Sequence, residues 1–167
     1  MLLISVKICY NSGNLCLEGT MALVKIVYAS MTGNTEEIAD IVGNKFEELG
    51  HTVEVDECTT VDAADFEDAD VAIVASYTYG DGELPDEIVD FYEDLADVDL
   101  TDKIFGVVGS GDTFYDYFCK AVDEFEAQFA LTGATKGADS VKVDLAAEDE
   151  DIANLEVFAE TISEKVN

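Results

Sequence analysis

Short apolar runs, separated by stretches of helical period, constrain this chain most. Val71-Ala72-Ile73-Val74-Ala75 carries no polar side chain, and Leu23–Ala29 and residues 103–109 are nearly as apolar. Runs this short read as strands buried on both faces, the state of strands in a parallel sheet. Thr52–Glu57 alternates, as a strand nearer an edge does, and residues 140–143 form a last short strand. Between these runs apolar residues recur at helical spacing. One set is Ile38, Ile41, Val42, Phe46 and Leu49, closed by Gly50. Others are Phe118, Val122, Phe125 and Phe129, then Ile152, Leu155, Phe158, Ala159 and Ile162. Residues 85–95 make a further helix with Pro85, the only proline, in its first turn. Strands alternating with helices predict an α/β fold: a doubly wound, five-stranded parallel sheet with helices on both faces.

In such a sheet a ligand sits beyond the carboxyl ends of the strands, where the strand order reverses. The loops after the first, third and fourth core strands are therefore the ones to read. The first is Ser30-Met31-Thr32-Gly33-Asn34-Thr35-Glu36, which opens a helix. Helix N-termini present unpaired N–H groups and a positive dipole end, and the hydroxyls of Ser30, Thr32 and Thr35 add donors. A phosphate held here is held by neutral donors, because the stretch has no lysine or arginine. The plainer reading is a helix cap made by Thr32 or Asn34. The stretch lacks the Gly-Lys-Ser/Thr of a Walker loop and the spaced glycines of a dinucleotide fingerprint. The other two loops are Ser76-Tyr77-Thr78-Tyr79-Gly80-Asp81-Gly82-Glu83-Leu84 and Gly109-Ser110-Gly111-Asp112-Thr113-Phe114-Tyr115-Asp116-Tyr117. With no tryptophan in the chain, tyrosines must do any stacking. A phosphate loop beside two tyrosine loops suggests a phosphorylated aromatic ligand.

Charge narrows the partners. Among 167 residues there are 8 lysines, no arginine and 38 acids, a net charge of −30. Nucleic acid and an anionic membrane surface are both disfavoured. A protein with a basic docking face would be steered towards this surface, although solubility or a salty habitat also explains such acidity. No apolar run reaches the length of a membrane span. Cys9, Cys16, Cys58 and Cys119 include no CxxC pair, and His51 is the single histidine, so no zinc site is expected. Reduced thiols and a cytoplasmic setting follow best. His51, after Gly50, reads as a surface residue, and Cys119 as a packed thiol.

Residues 1–20 read differently from the rest. They carry one lysine and one glutamate, so the whole net charge belongs to residues 21–167. Their apolar part is short and interrupted by Lys7, which does not suit a signal peptide. Leu17-Glu18-Gly19 can be encoded by a stretch containing a ribosome-binding sequence, just upstream of Met21. The expectation is therefore a leader over 1–20, disordered or absent from the native chain, and one functional domain over 21–167. The alternative is an extra strand from Leu2 to Tyr10 at a sheet edge. N-terminal sequencing of the native protein separates the two.

The three loops, in this order and spacing, resemble those of the short-chain bacterial flavodoxins over about residues 21–166. The resemblance implies strand order 2-1-3-4-5 and FMN at the switch between strands one and three, a placement that belongs to the family. It implies that Ser30, Met31, Thr32, Gly33, Asn34 and Thr35 surround the FMN phosphate. Ser76, Tyr77, Thr78, Tyr79, Gly80, Asp81 and Gly82, with Ser110, Gly111, Asp112 and Tyr115, would surround the ring. Tyr79 would lie against its inner face, where many relatives have tryptophan, and Tyr115 against its outer face. A Gly80 carbonyl turned towards N5 accepts a hydrogen bond that only the reduced ring donates, worth about 1 kcal/mol. Each unit charge near the ring costs its reduced anion about 2 kcal/mol at ~7 Å and an effective dielectric of about 20. Asp112, Asp81, Glu83 and Asp116 are the acids concerned. The function implied is a low-potential, one-electron carrier between redox proteins, monomeric and with no catalytic residue or metal site. An FMN-dependent NAD(P)H:quinone-type reductase is the alternative. Ala29-Ser30 and Ser76-Tyr77 stand where the acids of a phosphoacceptor receiver domain would be, which argues against that reading.

Overall fold

The computed structural model describes residues 5–7 and 18–166. The first elements are two short strands, β1 (Ser5–Lys7) and β2 (Glu18–Thr20), which pair antiparallel in a ladder of their own. Among the described residues, no ladder joins them to the main sheet. The rest of the expected leader, and Cys9 and Cys16, lie outside the described residues.

The main sheet starts with β3 (Leu23–Ala29), followed by α1 (Asn34–Glu48), β4 (Thr52–Glu57) and β5 (Val71–Tyr77). Then come α2 (Val89–Leu95), β6 (Ile104–Gly111), α3 (Lys120–Ala130), β7 (Thr135–Lys136), β8 (Val141–Asp144) and α4 (Asp149–Lys165). The strands run parallel in the order β4-β3-β5-β6, with β7 and β8 both pairing β6 at the far edge. Counted along the main sheet this is 2-1-3-4-5, as expected, with the fifth position split by residues 137–140.

Alternation along each strand divides the core. Val71, Ile73 and Ala75 of β5 meet Ile38, Val42 and Phe46 of α1 and Leu155, Phe158 and Ile162 of α4. Ala72 and Val74 face the other way, towards Phe91 and Leu95 of α2 and Val122, Phe125 and Phe129 of α3. The wholly apolar run over residues 71–75 of β5 is what a strand with helices on both sides requires. Glycine lets the central strands close: a Cβ on Gly109 would overlap the Ser76 carbonyl and Val122.

Several boundaries differ from the sequence expectation. The helix foreseen over 85–95 starts after Pro85, whose ψ of 135 is extended, with a 3₁₀ turn at Asp86–Ile88 followed by α2. The α3 helix starts only at Lys120, since Cys119 before it is left-handed at φ 52. A 3₁₀ turn at Ala63–Asp68 had no apolar period to announce it. His51 is a correction of substance. It is buried, 8% exposed, with Nδ1 accepting the Ala22 N–H at 3.1 Å and Nε2 at 2.7 Å from Ser163 Oγ. The left-handed Gly50 (φ 91) turns the chain back under α1, and the His51 N–H closes on the Phe46 carbonyl at 3.1 Å. Among the described residues no helix is long and apolar enough to cross a membrane.

Candidate functional site

Three loops leave the carboxyl ends of β3, β5 and β6, adjacent strands of one sheet. The first does not cap its helix with a side chain. Gly33 stands at the N-cap with φ 94, a left-handed conformation that glycine adopts at little cost, and neither Thr32 nor Asn34 caps α1. Ser30 Oγ accepts the Gly33 N–H at 3.1 Å, which leaves the hydroxyl proton of Ser30 free to donate outward. Met31, Thr32 and Gly33 are exposed and Asn34 is half-buried. Thr35 is buried, and its Oγ1 lies 2.8 Å from Ser110 Oγ, so the first loop is tied to the end of β6. One of these two hydroxyls donates to the other, and the Thr35 N–H, in the first turn of α1, has no partner within the helix.

The second loop begins with buried Ser76, whose Oγ donates to the Tyr77 carbonyl at 2.9 Å. Tyr77 turns its ring into the core and donates its hydroxyl to Glu87 Oε1 at 2.9 Å. Burial and the Glu87 carboxylate push this phenol well above the usual tyrosine range. The structure thus separates Tyr77's side chain from the exposed rings. Thr78 is also occupied, its Oγ1 accepting the Ala121 N–H at 3.0 Å in the first turn of α3. The Tyr79 and Glu83 backbones then exchange hydrogen bonds of 2.8 and 2.9 Å, closing a tight loop around Gly80 (φ 50), Asp81 and Gly82 (φ 98). A Cβ on Gly82 would stand 2.8 Å from Tyr117 Cβ, so the second loop packs directly on the third.

The third loop folds on Asp112. Its Oδ1 accepts the Phe114 N–H at 2.9 Å and its carbonyl accepts the Tyr115 N–H at 3.1 Å. Thr113 is held by Asp144 at the end of β8, through N–H to Oδ1 (3.1 Å) and Oγ1 to Oδ2 (2.9 Å). Phe114 meets Tyr115 edge-on, with centroids 5.4 Å apart. Lys120 lies 5.4 Å from the Tyr117 ring centroid and 3.6 Å from Glu124. Beneath the loop, Cys119 is fully buried, and burial pushes its thiol up to about 12. It is a packed thiol, unsuited to nucleophilic work.

The result is one edge where an uncapped helix terminus and free hydroxyls stand beside two exposed rings, Tyr79 at 54% and Tyr115 at 40% exposure. Five large side chains there face solvent, Met31, Tyr79, Phe114, Tyr115 and Tyr117, with Phe114 at 84% the most exposed. Thr113, Glu87 and Asp144 were not expected from the sequence. Thr113 and Asp144 lie 31 residues apart, and only an acid closing the last strand could have hinted at the pair.

Comparison with known proteins agrees with this geometry. The sequence pattern of the Flavodoxin family matches residues 26–157, which contain all three loops. "Probable flavodoxin 2" of Bacillus subtilis is 40% identical over 146 residues, covering 87% of this chain and 97% of its own. A flavodoxin structure from Streptococcus pneumoniae TIGR4 is 71% identical, with a TM-score of 0.86, over 87% of this chain and 100% of that one. A short-chain flavodoxin associated with a bacterial microcompartment is 46% identical, also with a TM-score of 0.86, over 88% and 100%. The chain belongs to the flavodoxin family of FMN-containing electron carriers.

Proposed function

We propose that this carrier works at low potential, one electron at a time, with FMN held by the three loops. The single observation that carries the reading is the shared edge: an uncapped α1 terminus, free hydroxyls and two exposed tyrosine rings on adjacent loops. An uncapped helix terminus fits a phosphate, and paired exposed rings fit a planar aromatic system.

In this reading the hydroxyls of Ser30 and Thr32, with the N–H groups of Asn34 and Thr35, donate to the phosphate. Asn34 adds its side-chain amide. The hydrogen bond between the Thr35 and Ser110 hydroxyls keeps the first loop against the third. Tyr79 and Tyr115 cover the two ring faces and exclude water from them. Bound flavin supplies the electron chemistry. Gly80, already at φ 50, tolerates either orientation of the Gly80–Asp81 peptide, so its carbonyl can accept a proton-bearing N5. Thr78, Ser76 and Tyr77 act through the backbone they fix. Asp81, Glu83 and Asp116 are exposed and screened by salt, whereas Asp112 is half-buried and weighs more against a reduced anion. That charge supports a low second potential.

The functional unit is residues 21–167, a reading supported by the family match within it. Flavodoxins work between redox proteins. The 38 acids against 8 lysines support partners with basic docking faces. Two free, buried thiols, Cys58 and Cys119, support a cytoplasmic setting, where the chain works as a monomer.

The test is the affinity of apoprotein for FMN and for riboflavin, which lacks the phosphate. Phosphate donors at α1 predict that FMN binds at least about a hundredfold more tightly, given the strength of hydrogen bonds to charged acceptors. Equal affinities would contradict the assignment of the first loop.

A further inference from the structure

We infer that Asp144 is a positioning residue for the ring-binding loop: its carboxylate clamps Thr113 and thereby sets the Tyr115 ring. The inference rests on the stacking role of Tyr115 proposed above.

Asp144 is the last residue of β8, and its ladder partner is Gly111, the last of β6. The carboxylate uses both oxygens on a single residue. Oδ1 accepts the Thr113 N–H at 3.1 Å and Oδ2 accepts the Thr113 hydroxyl at 2.9 Å. Two bonds from one carboxylate fix the residue's orientation as well as its distance. The next residue reinforces the arrangement. The Leu145 N–H donates to the Gly111 carbonyl at 2.8 Å, and Leu145 is left-handed at φ 59, an uncommon state for leucine. The strand end is thus turned sharply where it grips the loop.

From Thr113 the constraint reaches Tyr115 in two residues. Asp112 holds the Phe114 and Tyr115 N–H groups. Residues 113–116 are all exposed, so hydrogen bonds rather than side-chain burial hold this part of the loop. Asp144 provides two of those bonds from outside the loop itself.

The sign of the effect separates this role from plain electrostatics. FMN is an anion. If the Asp144 charge alone mattered, removing it would tighten FMN binding. If the clamp matters, removing it loosens the loop and weakens binding.

The experiment titrates apoprotein with FMN, following the quenching of flavin fluorescence, for the unmodified chain and for Asp144→Ala, Asp144→Asn, Thr113→Val and Tyr115→Ala. Amide exchange at residues 113–115 is measured on each apoprotein. Asp144→Ala is expected to weaken FMN binding about tenfold, the scale of losing hydrogen bonds to a charged acceptor, and to speed exchange at Thr113. The side-chain amide introduced by Asp144→Asn still accepts the Thr113 N–H and can donate to the hydroxyl. Asp144→Asn should therefore stay within about threefold of the unmodified chain. Thr113→Val should add little when combined with Asp144→Ala, because both remove the same contact. Unchanged or tighter binding by Asp144→Ala, while Tyr115→Ala weakens it, overturns the clamp alone. Equal losses in Asp144→Ala and Asp144→Asn overturn it as well. Unchanged binding in Tyr115→Ala sinks the stacking reading, and the inference with it.

Discussion

One imidazole joins three parts of the chain at the end of the sheet away from the three loops. His51 Nδ1 must be unprotonated to accept the Ala22 N–H, which places the ring proton on Nε2, donating to Ser163 in α4. Burial pushes the His51 pKa below its usual 6.5, and nearby Asp70 opposes this only in part. A histidine with a lowered folded pKa binds fewer protons folded than unfolded, so its contribution is complete above about pH 6.5. It is lost as pH falls from there towards the folded value. His51→Asn keeps an acceptor for Ala22 without titrating. The stability difference between the unmodified chain and His51→Asn, from urea unfolding, should shrink between pH 7 and 5; a constant difference would refute the neutral, buried ring. Gly82 gives a second prediction at this scale. Alanine there meets both the left-handed φ of 98 and Tyr117 Cβ at 2.8 Å. Gly82→Ala should cost about 1–3 kcal/mol in urea unfolding and also weaken FMN binding. The burial of His51 is not legible in the sequence, because a residue after a glycine stop normally leaves the helix for solvent. Only the packing of α4 on α1 reveals the cover above it.

Between elements, the Thr35–Ser110 hydrogen bond joins the first turn of α1 to the end of β6 at 2.8 Å, and both residues are buried. Thr35→Val keeps the shape of the side chain and leaves the Ser110 hydroxyl without its partner. The expected loss is about 1–2 kcal/mol in urea unfolding, with weaker FMN binding because α1 and the third loop are no longer tied. A thermodynamically silent substitution would show that the two loops are held by packing alone. At this scale the sequence was informative where apolar periodicity is strong. Leu23–Ala29 and Thr52–Glu57 stand as read, and β5 runs two residues beyond the apolar run, to Tyr77. It was uninformative where polar residues make local turns, as at Ala63–Asp68, and where a strand breaks, as between β7 and β8. The three loops were legible as motifs. Their division of labour was not, because whether Thr35, Thr78 or Tyr77 faces a ligand or a neighbour depends on partners far along the chain.

Over the whole molecule, 38 acids against 8 lysines leave a net charge of −30. Several lysines already sit in local pairs, Lys45 with Glu160 at 3.1 Å and Lys142 with Asp123 at 2.8 Å among them, so the remaining acids repel one another. Salt shortens the reach of that repulsion from about 30 Å at 0.01 M to about 8 Å at 0.15 M. The Tm should rise by at least about 3 °C over this range, by calorimetry. The association rate with a basic redox partner should fall at least about tenfold over the same range. A salt-independent rate would remove charge steering from the account.

One-electron traffic is tested most directly by stepwise anaerobic reduction of the purified protein with FMN bound, followed by absorbance. A one-electron carrier whose Gly80 loop can receive a proton-bearing N5 predicts a long-wavelength band. That band should grow to half reduction and then disappear as the second electron enters. Direct conversion from oxidised to fully reduced flavin, with no such band at any step, would contradict it.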